Sequence, residues 1–198
     1  MTGEKVHNDP ILGPVTLRKG RVRSITIRVS ARKGIIVTLP WLVPYSTGIA
    51  FLESRRDWVA ASLERQRQKL DRAARQGRIL QVSDPATAAA LRTQARSILP
   101  GRVAEFAARY GFAPAKVFLK ANRTNWGSCS ARSNLNLNIA LAAVPEALRD
   151  YVILHELSHL RYHNHGPQFH ALLERLCQDA LGTPARELEK QLRQWILA

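Results

Sequence analysis

The sequence predicts an α+β protein: a small antiparallel sheet packed on helices, preceded by a basic, β-rich N-terminal part. Three observations lead there. Strand-like patterning is confined to two regions, near residues 15–40 and 116–141. Helical periodicity fills most of the remainder. The stretch "HELSHLRYHNH" places four of the six histidines within eleven residues, on what reads as one of those helices.

The elements follow in order. In "RSITIRVS", Ile25, Ile27 and Val29 alternate with Ser24, Thr26 and Arg28, the period of a half-buried strand. "RKG" turns the chain into "IIVTLP", which Pro40 closes. From the N-caps Ser46 or Thr47, a helical pattern sets Phe51, Leu52, Trp58, Val59 and Leu63 on one face and arginines on the other, fading toward Gly77. A second helix opens at "SDPATAAALRTQARSIL", with Asp84 as cap and Pro85 in the first turn. Pro100-Gly101 is expected to kink or split it before "RVAEFAARYGF". "KVFLKA" and "LNLNIAL" read as two strands joined through "NRTNWGSCSARS". The histidine-bearing helix starts after Pro145, and two further helices start near Pro167 and near Thr183-Pro184. This divides the chain into a basic part, 1–77, and a core, 78–198.

Thirty Lys and Arg against fifteen Asp and Glu give a net charge of +15, so a polyanion must be weighed as a partner. The excess is concentrated in residues 1–110, with twenty basic and eight acidic side chains, against ten and seven in 111–198. Arg18, Lys19, Arg21, Arg23, Arg32 and Lys33 near the strands, with Arg65, Arg67, Arg72 and Arg75 on the helix, are the candidates for nucleic-acid contact. The competing reading, a solvated arginine-rich face, is the commoner one. Cys129 and Cys177 form no C-x-x-C and fit a reducing compartment. The polar N-terminus lacks a signal-peptide core, and no apolar run approaches eighteen residues. A cytoplasmic protein with no membrane partner is expected.

His155, Glu156 and His159 form H-E-x-x-H. Positions four apart on a helix sit about 40° apart in azimuth and one turn apart in height, so both imidazoles reach one point. Val152, Ile153, Leu154, Leu157 and Leu160 mark the helix as buried, where two histidines and a glutamate are costly without a shared purpose. A catalytic Zn²⁺ needs a third protein ligand and an open fourth position. His165, past the expected helix end in "NHGP", ranks first, because Asn164 and Gly166 could take positive φ and turn the chain back. His170 on the next helix ranks second, and His163, which continues the helical ladder, third.

"NRTNWGSCSARSNLNLNIAL…VPEALRDYVILHELSHLRYHNHGPQF" resembles the YgjP-like metallopeptidases, small zincins allied to the SprT-like proteases. The resemblance implies a minimal zincin-like core, with His155, His159 and His165 as zinc ligands and Glu156 as the catalytic carboxylate. Two positions depart from the family pattern: Asn125 stands where Arg is usual, and His170 where an aromatic is usual. The implied activity is hydrolysis of peptide bonds in a protein or peptide substrate, with Glu156 as general base to a zinc-activated water. The alternatives are a metal-dependent hydrolase of a nucleotide phosphoanhydride, for which the sequence lacks a carboxylate cluster, or a nucleic-acid-associated zinc protein. "TNWGSCS" reads either as a turn, with Gly127 permitting the bend and Trp126 in the core, or as a wall of the cleft. "LNLNIAL", with Asn134, Asn136 and Asn138 on one face, is a candidate edge strand for pairing with substrate, or an ordinary solvated edge. Trp126, Asn136, Asn138 and His170 are the cleft candidates.

Overall fold

The computed structural model describes residues 3–31 and 33–198. Arg32, one of the candidate basic contacts, lies outside the described residues. The chain divides into two compact units, Met1–Arg72 and Ala73–Ala198.

In the first unit, β1 (Glu4–Asp9), β2 (Gly13–Gly20), β3 (Thr26–Ser30) and β4 (Gly34–Pro40) form a sheet of order β1-β2-β4-β3. β2 and β4 run parallel, and the other two pairs antiparallel. β1 has no strand signature in the sequence. It is an edge strand with a mostly exposed "EKVHND" pattern, held by ladder bonds to β2 rather than by apolar alternation. The hairpin after it is fixed by Asp9, whose Oδ1 accepts from the Ile11 and Leu12 amides at 2.9 Å each. Its Oδ2 accepts from Arg56 Nε and Nη2 at 3.1 and 3.0 Å. Val15, Leu17, Ile35, Val37 and Leu39 alternate inward and pack with Leu52 and Val59. The one expected helix is two, α1 (Tyr45–Glu53) and α2 (Arg56–Arg75). They part where the Ser54 hydroxyl bonds back to the Phe51 carbonyl at 2.8 Å. Trp58, assigned to the apolar face, is 53% exposed.

The second unit opens with β5 (Ile79–Leu80), which pairs with the final β9 (Ile196–Leu197). Asp84 caps α3 (Pro85–Tyr110) by accepting from the Thr87 amide at 2.7 Å. Pro100 does not split this helix. The residue is exposed, and Leu91, Ala95, Leu99, Val103 and Phe106, on both sides of it, share one buried stripe. The bond Pro100 forgoes therefore falls on the solvent side, while packing holds both halves together. Beyond α3 lie β6 (Lys116–Lys120), β7 (Gly127–Cys129), β8 (Asn134–Asn138) and a 3-10 turn over Ile139–Ala143. The helices α4 (Glu146–Ser158), α5 (Pro167–Leu181) and α6 (Ala185–Leu192) follow. Fold class is α+β as expected, but the sheet is mixed: β6 and β8 are parallel, β7 and β8 antiparallel. Its order, β6-β8-β7, corrects the reading of "LNLNIAL" as an edge strand. β8 is central because the joining segment supplies a third strand. The core gathers α3, β8, α4 and α5 around Phe106, Leu137, Ile153, Leu154 and Phe169. No helix among the described residues is long and apolar enough to cross a membrane.

Candidate metal centre

α4 is buried along most of its length, from Leu148 to Ser158. Asp150, fully buried, accepts from Arg102 of α3 through two bonds of 3.1 and 2.7 Å, which fixes the helix before the histidines begin. The helix ends earlier than the histidine ladder suggests. Ser158 donates to the Leu154 carbonyl at 2.7 Å, and His159 is already the C-cap. His163 is therefore not on α4. The chain turns through bonds from Leu160 to Leu157 and from Arg161 and Tyr162 to Ser158, and returns His165 toward His155. The expected left-handed residues do not occur: neither Asn164 nor Gly166 has positive φ, and Gly166 is extended at φ −78° and ψ −179°. Tight turns at the helix end do that work.

The structure brings His155, His159 and His165 together, with one ring nitrogen from each within 4.8 Å of the others. His155 Nε2 and His165 Nε2 are 3.1 Å apart. At that distance one Nε2 carries the N–H and donates to the other, or a cation stands between the two lone pairs. Two nitrogens bound to one tetrahedral zinc at the usual length lie about 3.3 Å apart, so the pair fits a shared ion. His159 Nδ1 lies 3.1 Å from the Tyr162 carbonyl, which makes it the N–H donor and leaves Nε2 as the free lone pair. Phe169, fully buried, floors the group, with ring centroids 5.0, 4.5 and 4.7 Å from His155, His159 and His165. His170 stays outside, exposed, its ring 6.3 Å from that of His165.

Burial, and then the neighbouring imidazoles, push His155 down to about 4, so its ring is neutral at pH 7. Burial also lowers His159, against the pull of the Tyr162 carbonyl. Glu156 is 5% exposed, and burial pushes its carboxyl up to about 8. A divalent cation alongside would reverse that pressure and favour the carboxylate. His155 Nδ1 and Glu156 Oε2 are buried without a hydrogen-bond partner. Groups in that condition are expensive unless a further species completes them.

A cavity of about 480 Å³ opens over this group, lined by His155, Glu156, His159, His163 and His165 with Gly127, Ser128, Cys129 and Ala131. "GSC" is thus a cleft wall, and Gly127 makes no left-handed bend. A second cavity, about 520 Å³, lies against His155 and His165, with Tyr151, Phe169, His170, Glu174 and Arg186 among its lining. Trp126, Asn136 and Asn138 line neither cavity. Trp126 packs against the core, and Asn136 Nδ2 donates across the sheet to Ser128 Oγ at 3.2 Å. Asn138 caps the 3-10 turn through the Ala140 amide, while its Nδ2 holds the Asn122 and Asn125 carbonyls at 2.7 and 3.0 Å. The Asn136 and Asn138 side chains are thus spent on the sheet and loop, and both backbone edges of β8 are taken by neighbouring strands. Phe169 and the Tyr162 carbonyl have no sequence signal of their own; only the returning turn reveals them.

A family described as "YgjP-like, metallopeptidase domain" matches residues 82–194, which span the whole of this site. The chain belongs to the YgjP-like metallopeptidase family. Among solved structures, the YgjP-like chain is similar to the metallopeptidase zymogen abylysin of Pyrococcus abyssi. The identity is 17% and the TM-score 0.42, over 51% of this chain and 100% of that one. No curated protein matches the chain. Family membership makes this YgjP-like protein a metallopeptidase, and its substrate class peptides.

Proposed function

We propose that this is a zinc-dependent peptidase in which His155, His159 and His165 hold the ion and Glu156 is the general base. One observation carries the proposal: three imidazole nitrogens within 4.8 Å of one another share a cavity with a buried, unpartnered carboxyl group. Neutral imidazoles suit zinc, and three protein ligands rather than four match a catalytic site with a position left open. When bound, zinc supplies Lewis-acid chemistry, polarising the scissile carbonyl and lowering the pKa of water.

The remaining work falls to the chain. The Tyr162 carbonyl holds the proton on His159 Nδ1, so Nε2 faces the ion as a lone pair. Phe169 closes the floor and keeps water from behind the rings. A Glu156 carboxylate oxygen takes the proton from the attacking water and returns it to the leaving amine nitrogen. β7, an outer strand of its sheet and a wall of the cavity, is the seat for an extended substrate backbone. The phosphoanhydride alternative has less support, since Glu156 is the one carboxylate among the residues lining this cavity.

The test is metal content per chain after dialysis against a mild chelator, with peptide-library cleavage in parallel. His165→Ala should lose the zinc; His163→Ala and His170→Ala should keep it. Glu156→Gln should keep it too, yet lose turnover by roughly 10²–10⁴-fold. A zinc-loaded Glu156→Gln protein with full activity would end this mechanism.

A further inference from the structure

The glycine of "WGSC" has no conformational reason to be glycine. Gly127 lies in β7, paired with Leu137 of β8, and is absent from the residues of positive φ. Any amino acid could take its backbone angles. What forbids a side chain is the space above it. A Cβ on Gly127 would stand 2.6 Å from Glu156 Cγ, 2.6 Å from Glu156 Oε1 and 2.8 Å from Glu156 Cδ. All three are well inside van der Waals contact, and all three belong to the proposed general base.

We infer that Gly127 is a positioning residue: by lacking a side chain it lets β7 lie directly against Glu156 and fixes where that carboxyl group sits in the cleft. This rests on the reading of Glu156 as general base.

Which partner would yield to a Cβ follows from how each is held. The strand is fastened on both sides of position 127. Asn125 Nδ2 donates to the Gly127 carbonyl at 2.9 Å, and the Asn138 amide donates to the Trp126 carbonyl at 2.8 Å. Asn138, 1% exposed, also holds the Asn125 carbonyl at 3.0 Å. On the far side the Ser130 amide donates to the Asn134 carbonyl at 2.9 Å. Moving β7 would break several of these bonds together. The Glu156 carboxyl, by contrast, has an oxygen with no partner and open cavity beside it. A methyl group at 127 therefore leaves the strand in place and displaces the carboxyl group.

The experiment is a double-mutant cycle on metal-free protein, read by thermal unfolding, with zinc content and steady-state kinetics on the loaded enzymes. The substrate is a fluorogenic peptide taken from the cleavage library. Gly127→Ala should lower the melting midpoint, and that loss should vanish in the Glu156→Ala background, where nothing is left to collide with. The loaded Gly127→Ala enzyme should keep its zinc and its KM while kcat falls about 10²-fold, the scale of a 1 Å misplacement. A plain loss of fold would not divide the effects in this way. Wild-type kcat in Gly127→Ala overturns the inference, and so does an equal midpoint loss in both backgrounds. Should Gly127→Ala fail to fold, a folded Gly127→Ala/Glu156→Ala protein supports the collision and an unfolded one overturns it. If Glu156→Gln keeps its turnover, the general-base reading and the positioning role fall together, whereas the midpoint cycle still reports the contact.

Discussion

Asp150 is a buried charge, with its side chain 1% exposed, and it anchors α4 to α3 five residues before the first histidine of the candidate metal centre. Asp150→Asn keeps the shape and removes the charge. Of the two Arg102 bonds, 3.1 and 2.7 Å, one is then lost against an amide donor and the other remains only as a bond to a neutral amide oxygen. Breaking a buried pair by removing one partner costs about 3–5 kcal/mol. The lower end applies here, because Arg102 is 23% exposed, keeps Glu105 at 2.6 Å and stays over the Phe106 ring at 4.3 Å. Near 3 kcal/mol, at about 3 °C per kcal/mol for a chain of this size, the midpoint should fall by about 10 °C. Calorimetry on metal-free protein measures it. The paired replacement Arg102→Met/Asp150→Leu should recover part of the loss, since Arg102 is no longer stranded, while Arg149, 3.6 Å from Asp150, retains only Glu146 at 3.4 Å. A loss under about 1 kcal/mol in Asp150→Asn would show that the pair behaves as a surface ion pair and does not anchor α4.

Phe169→Ala removes a fully buried ring from beneath all three histidines. It should cost about 3–5 kcal/mol and loosen the bound metal, and an unchanged calorimetric midpoint with metal retained at wild-type strength would contradict the floor assigned to it. Burial alone would raise the Asp9 carboxyl, but the Leu12 and Ile11 amides and Arg56 outweigh it and hold the group below its ordinary 3.8. The sign follows: this stability is present above pH 3.8 and lost as pH falls through the depressed value. The gap in unfolding midpoint between wild type and Asp9→Asn should thus be constant from pH 7 to 5 and close in acid; an unchanged gap at pH 2.5 would refute it. Pro100→Ala restores a helical amide on the exposed side of α3 and should raise stability by about 1–3 kcal/mol, read from denaturant midpoints.

What could be read from the sequence was what local chemistry decides. Asp84-Pro85 announces the start of α3, the alternation of Ile25, Ile27 and Val29 announces β3, and H-E-x-x-H on an apolar helix announces two imidazoles facing one point. What escaped depends on partners distant in sequence. The central place of β8 follows from β6 and β7 pairing on either side of it, and no pattern within "LNLNIAL" encodes that. β1 has almost no apolar residues to alternate. Pro100 reads as a breaker until the stripe from Leu91 to Phe106 shows packing overriding it. Gly127 reads as a turn glycine because sequence cannot show which side chain stands above a strand. The return of His165 was legible as a direction, though not as a conformation, since the turn uses no left-handed residue.

The three candidate ligands fall within residues 155–165, a span of eleven. A cross-link constrains an unfolded chain according to the length of loop it closes, and that dependence is only logarithmic. An ion gripped here closes one short loop and ties no distant elements together. The apolar cluster beneath it, from Val82 to Leu197, includes none of the three histidines. Removing the metal should therefore act as a local melt. Amides from Leu160 to Gly166 should exchange freely with solvent while those of Val152–Leu154 stay protected, so the protein can give up and regain its ion without refolding.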